Sequence, residues 1–351
     1  MKLMTFALVL LAAAFASSAS IPLHEPRGIE HASPHGGRVK AIPWDEAVQI
    51  MKTPPGGFCG KVSSLDTNAT EAQPRPKCAN TTIRPEWNRM ADADKLSYVR
   101  AVKCLMDTPP LGVWGENATR SIWDEVAWVH DQLNVRIHGV DTFLPFHRLR
   151  RADALVARDQ LHGPLLRLWF FTADYFGALP PLSKTGDGTC ITDGAFANFT
   201  VRSPDPNHSS CLSRGETKQT TDEATTAMLD LCHGDATTEY TQHRRCVEQT
   251  IHAVMHEGIG PTMWLLATSP NDPVFFLHHG FVDWQWKRWQ DAAPGRSMTI
   301  TGCAEYPADG SPCIPLTRDT VLTTMGLIPD MTVGDVLDTE NDVMCYTYDE
   351  F

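Results

Sequence analysis

Six of the fourteen histidines in this 351-residue chain fall into two groups beside strongly hydrophobic stretches: His130, His138 and His147, then His252, His256 and His279. Imidazole suits copper, zinc and iron alike, but a nitrogen-only set without cysteine or carboxylate fits copper that cycles between oxidation states. Two three-histidine sites facing one another would leave each metal an open position, and so a place to hold dioxygen. His252 and His256 stand four apart, which puts both rings on one face of a helix. A lone H-x-x-x-H is only modestly specific. A zinc peptidase needs glutamate directly after the first histidine; here Ala253 follows His252 and Glu257 follows His256, so that mechanism lacks its base.

The elements that must carry these rings are legible as periodic stretches. Ser121 with Asp124 three later signals a helix start, and Ile122, Val126, Val129 and Leu133 then line one face, toward which His130 also points. Leu96, Val99, Lys103 and Met106 give helical spacing between Pro85 and Met106, closed by Thr108-Pro109-Pro110. A further helix runs from Glu239 to His256, with Gly258 and Gly260 ending it, and another from Phe281 to Gln290. Residues 20 to 80 are rich in proline, glycine and threonine and read as extended loops, while 178 to 235 read as a long stapled loop region. Beyond Pro294 the pattern predicts short β-like or irregular stretches.

Composition bounds the partners. Acidic residues outnumber basic ones 42 to 30, a formal charge of −12, which disfavours nucleic acid and other polyanions. Thirty aromatic residues (10 Trp, 6 Tyr, 14 Phe) supply a folded core that a disordered acidic chain lacks. Lys2, the apolar run from Leu3 to Phe15 and the small residues after it read as a secretory signal cleaved near Ala19 or Ser20, leaving one domain over 20–351. No second segment is apolar enough to span a bilayer. Sequons at Asn68, Asn80, Asn117, Asn198 and Asn207 fit an exported, extracellular glycoprotein. Ten cysteines without a C-x-x-C fit disulfides, whose connectivity the spacing does not encode.

His138-Gly139-Val140-Asp141-Thr142-Phe143-Leu144-Pro145-Phe146-His147-Arg148, and Asn271-Asp272-Pro273-Val274-Phe275-Phe276-Leu277-His278-His279 with Val282-Asp283, resemble the two copper signatures of the tyrosinase, catechol oxidase and molluscan-type hemocyanin family. The resemblance covers roughly residues 85–290. It implies a mainly α fold, a four-helix bundle around a dinuclear copper site, with long disulfide-stapled loops and a few short strands. It implies His130, His138 and His147 as ligands of the first copper and His252, His256 and His279 as ligands of the second. His278 is implied as a neighbour supporting the site, and Asp283 as a group fixing ring orientation. Arg148 is expected against Asp272 or a backbone carbonyl. Tyr346-Thr347-Tyr348 resembles the tyrosine motif that closes the catalytic domain in this family, and the C-terminal lid of many relatives is not expected.

The activity so implied is oxidation of o-diphenols to o-quinones with reduction of O2 to water. Members with strong monophenol hydroxylase activity often carry a glutamate three residues before the first histidine of the second site and an asparagine just after it. Gln249 and Ala253 stand there, and neither makes a base, so diphenol oxidation is favoured over a tyrosinase with hydroxylase activity; Glu257 is the remaining candidate base. Many fungal members crosslink a cysteine to the middle histidine of the first site, two residues before it. Arg136 occupies that place, so His138 must be held by packing and hydrogen bonds. An oxygen carrier of the hemocyanin type is a third reading, disfavoured because the chain lacks a shielding domain.

Overall fold

A computed structural model describes residues 75–112, 120–152, 175–202, 209–234, 239–266, 268–307 and 310–349. The expected signal segment, Cys59 and the sequons at Asn68, Asn117 and Asn207 lie outside these residues. Helix α1 (Asp92–Asp107) buries Leu96, Val99, Val102 and Leu105. It starts later than Pro85 because a 3-10 turn, Trp87–Arg89, intervenes. Trp87 there packs edge-on against Tyr98, Tyr175 and Phe176, which holds this turn to the core.

Helix α2 (Ile122–Ile137) begins where the sequence signals it, with Ser121 Oγ accepting from the Asp124 N–H at 3.2 Å. His138 is its C-cap, and Gly139 follows with φ +71°, the left-handed turn that lets the chain leave the helix. Helix α3 (Phe143–Ala152) starts at Phe143, so His147 lies one turn inside it.

The helix expected over 239–256 is three joined pieces: α4 (Tyr240–Val247), a π-helical turn (Glu248–His252) and α5 (Ala253–Ile259). Gly260, with φ +98°, ends it, and a Cβ there would meet the Gly215 carbonyl oxygen at 2.5 Å. Gly258 does not end the helix. It lies within α5 packed on Thr221 of the short helix Lys218–Glu223, where a Cβ would come within 2.5 Å of the threonine methyl.

Helix α6 (Val274–Asp291) begins seven residues before Phe281, because Asp272 Oδ1 accepts from the Val274 N–H at 3.0 Å and caps it. Helix α3 packs on α6, and α4 also touches it, so the helices that bear histidines share one core. The fold is mainly helical, as expected, and its strands are two or three residues long. β1 (Thr82–Arg84) pairs in parallel with β3 (Tyr346–Tyr348), and β2 (Cys303–Glu305) pairs antiparallel with Ile314–Pro315. Disulfides join Cys78 to Cys345, Cys190 to Cys211, Cys232 to Cys246 and Cys303 to Cys313. Among the described residues no helix is long and apolar enough to cross a membrane.

Candidate metal centre

The helices bring the six histidines into two facing triads. His130 comes from α2, His138 from its C-cap and His147 from α3, and their ring centroids lie 5.0 to 5.6 Å apart. His252 from the π turn, His256 from α5 and His279 from α6 make the second triad, with centroids 4.5 to 5.6 Å apart. The triads touch: His147 stacks on His279 at 4.3 Å, and His138 lies over His252 at 6.1 Å.

Backbone carbonyls orient four of the rings through Nδ1. His138 bonds to Asn134 O at 3.0 Å, His147 to Phe143 O at 2.7 Å, His252 to Glu248 O at 3.1 Å and His256 to Met263 O at 2.7 Å. An Nδ1–H given to a carbonyl leaves the Nε2 lone pair facing inward, which is the tautomer a metal needs. The Nε2 atoms of His138 and His252 are fully covered and have no hydrogen-bond partner. Those of His147 and His130, and of His256 and His279, face each other at 3.4 Å.

Covered nitrogens without partners cost a protein dearly unless something else uses their lone pairs. Paired Nε2 atoms at 3.4 Å have the same need. Burial pushes His138 down to about 3 and His256 to about 4, each against a carbonyl hydrogen bond that works the other way. It drives His252 and His279 well below the usual histidine range, with neighbouring imidazoles adding to the effect. These four rings are therefore neutral, the form that ligates. His138 is half-buried as a residue, yet its Nε2 is completely covered, so its outer edge alone meets water.

Two phenylalanines wall the centre. Phe143 packs against His138, His147 and His252, and Phe275 lies 4.1 Å from the His279 ring and 5.2 Å from His130. Each stands four residues before a histidine of its own helix, so a repeated F-x-x-x-H in the sequence marks both. His278 is closer than a mere neighbour. Its ring stacks on His252 at 5.4 Å, and one of its nitrogens lies within 4.8 Å of ligand atoms on His252, His256 and His279.

Other expectations are corrected. Asp283 is buried but does not orient His279, whose Nδ1 has no hydrogen-bond partner. It accepts from Arg148 Nε at 2.5 Å and from the hydroxyls of Tyr346 and Tyr348. Arg148 therefore neutralises Asp283, and its Nη1 reaches the Val336 and Leu337 carbonyls, the backbone partners also expected of it. Asp272 is instead held by both arms of Arg214, at 2.7 and 2.8 Å.

Gln249 is exposed and lines a surface depression with Thr241, Gln242, Arg245 and Cys246. Glu257 is also exposed; partial burial and then Glu223 push its carboxyl up, which places it on the side of the Lys218–Glu223 helix. Ala253 is half-buried. The carboxylate that turns inward from this segment is Glu248, which sequence reasoning passed over. In a 3.6-residue helix, positions three and four before His252 both lie within about 60° of it. The wider π turn swings 249 outward and keeps 248 in line.

The common central domain of tyrosinase matches residues 169–292 as a family model. Tyrosinase ustQ of Aspergillus flavus is 28% identical over 306 residues, 78% of this chain and 81% of that one. By these matches the chain is similar to the tyrosinase family of type 3 copper proteins. It is also similar to N-acetyl-6-hydroxytryptophan oxidase ivoB of Emericella nidulans, at 24% identity over 77% of this chain and 93% of that one. A polyphenol oxidase from Thermothelomyces thermophila shares the fold, with a TM-score of 0.64 and 22% identity over 79% of this chain and 91% of that one. In that family the cofactor is a pair of copper ions with O2 as co-substrate, and the buried histidine clusters of this chain have the donors for it.

Proposed function

We propose that this tyrosinase-family oxidase converts o-diphenols to o-quinones while reducing O2 to water. Two buried, facing triads of imidazoles carry the reading. His130, His138 and His147 would hold one copper, and His252, His256 and His279 the other. When bound, the copper pair supplies the electron transfer from phenol to O2. The chain's own residues fix the ring planes through carbonyl bonds, and Phe143 and Phe275 exclude water from the rings' flanks.

Hydroxylation of monophenols needs a base near the phenol. Gln249 and Glu257 face outward, Ala253 has no polar side chain, and both oxygens of Glu248 are occupied by Gly139 and Arg244. These four positions supply no free base, which favours the diphenol over the monophenol. The relative named for a hydroxytryptophan derivative makes ring-hydroxylated indoles a second substrate class to test.

The experiment is oxygen uptake by copper-loaded protein on a catechol, its monophenol and a hydroxyindole. The reading expects fast uptake with catechol and a slow or absent response with the monophenol. Equal rates on both phenols would replace it with a tyrosinase, and copper-dependent O2 binding without turnover would replace it with an oxygen carrier. We infer a secreted glycoprotein, on the strength of the N-terminal apolar run, four disulfides and exposed sequon asparagines at Asn80 and Asn198.

A further inference from the structure

The residue after His138, Gly139, donates its backbone N–H to Glu248 Oε1 at 2.6 Å. Glu248 belongs to the turn that carries His252, and its own carbonyl accepts from His252 Nδ1. Its second carboxylate oxygen accepts from Arg244 NH1 at 2.6 Å. Arg244 in turn grips Asp141 Oδ1 through Nε at 2.8 Å and NH2 at 2.7 Å. Asp141 Oδ2 accepts from the Cys303 N–H at 2.7 Å, beside the Cys303–Cys313 disulfide, and the Tyr240 hydroxyl donates to the Asp141 carbonyl at 2.6 Å.

The loop His138–Asp141 is thus fastened at both ends to the helix of the other triad. We infer that Glu248, backed by Arg244 and Asp141, is a positioning residue that locks the His138 ring to the second histidine triad, doing by hydrogen bonds what a covalent sulfur link to that ring would do. Three features support it. His138 is the one ring of the six that is half-exposed, at the end of α2 rather than within a helix. Arg136 stands where a crosslinking cysteine would be, and it turns outward to Glu305. One residue, Glu248, bonds to both histidine-bearing segments, through its side chain to the Gly139 N–H and through its carbonyl to His252 Nδ1.

The inference rests on His138 being a copper ligand, and copper release tests it separately from that reading. Holoprotein carrying Glu248→Ala, Glu248→Asp or Glu248→Gln is mixed with a chelator, and bound copper and the signal of single Cu(II) ions by electron paramagnetic resonance are followed. Coupled Cu(II) pairs are silent in that experiment, whereas a lone ion is seen. Losing a partner that orients a metal ligand costs about 10- to 100-fold in affinity, so one copper should leave the alanine variant at least about tenfold faster than wild type. The chain left behind should show the single-ion signal.

Gln keeps an oxygen for Gly139 and should hold copper within about threefold of wild type, while Asp is too short to reach and should behave like Ala. Should the alanine variant not fold, the aspartate variant carries the test. Release within twofold of wild type, or both coppers leaving faster by one factor, overturns the inference. Wild-type protein binding fewer than two coppers overturns the ligand assignment instead.

Discussion

The rings of His147 and His279 lie 4.3 Å apart and 14° from parallel, although each belongs to a different triad. The two half-sites therefore share a wall, and each triad is shaped by the packing of the other. Removing one ring should empty its own half-site first. His256→Ala is expected to hold about one copper per chain in place of two and to lose nearly all oxidase activity, read by elemental analysis and oxygen uptake. Two coppers and full turnover in that variant would contradict the ligand set.

Arg148 and Asp283 form a wholly buried ion pair between α3 and α6, and Arg148 also lies 3.7 Å over the Trp286 ring. Deleting one partner strands the other charge away from water. Asp283→Ala should destabilise the copper-free chain by about 3–5 kcal/mol, seen as a lower denaturation midpoint. A loss under about 1 kcal/mol would mean that water reaches the stranded guanidinium.

His243 lies outside both triads, stacked on Trp289 with Nδ1 against the Cys232 carbonyl. Burial lowers it to about 3. Its folded pKa is below the unfolded value of about 6.5, so its contribution is full above pH 6.5 and drains away as pH falls toward 3. Wild type should lose up to about 1.4 kcal/mol of stability per pH unit in that window from this group alone. Comparison with His243→Phe over pH 7 to 5 should show the variant with the shallower slope; identical slopes would show that His243 protonates freely in the fold.

Gln249 and Glu257 both face outward. Gln249→Ala and Glu257→Gln should each leave kcat/KM for a catechol within about twofold of wild type, since substitutions away from buried contacts usually shift free energies by about 0.5 kcal/mol or less. A tenfold fall in either would put that side chain in the substrate's path.

The histidine spacing and the helical periodicity around it announced most of this centre, because both are local properties of the chain. His130, His252 and His256 sit on helices whose apolar faces are readable one turn at a time. Partnerships across the fold were not readable. Asp283 has a histidine four residues before it, yet its partners are Arg148 and two tyrosines from the other end of the described chain, and no local pattern favours those over the ring. Disulfide pairing was unreadable for the same reason, Cys78 with Cys345 being the extreme case. Helix α6 starts early because of a cap at Asp272 that precedes its periodic stretch.

The π turn at Glu248–His252 carries a last consequence. Ordinary α-helical winding of the same five residues would turn the preceding segment by about 90° against the histidines. Gln249 would then lie within about 60° of His252, on the inner face beside Glu248, with neither codon altered. Relatives aligned column by column through this stretch can thus agree in letters and differ in which side chain turns inward.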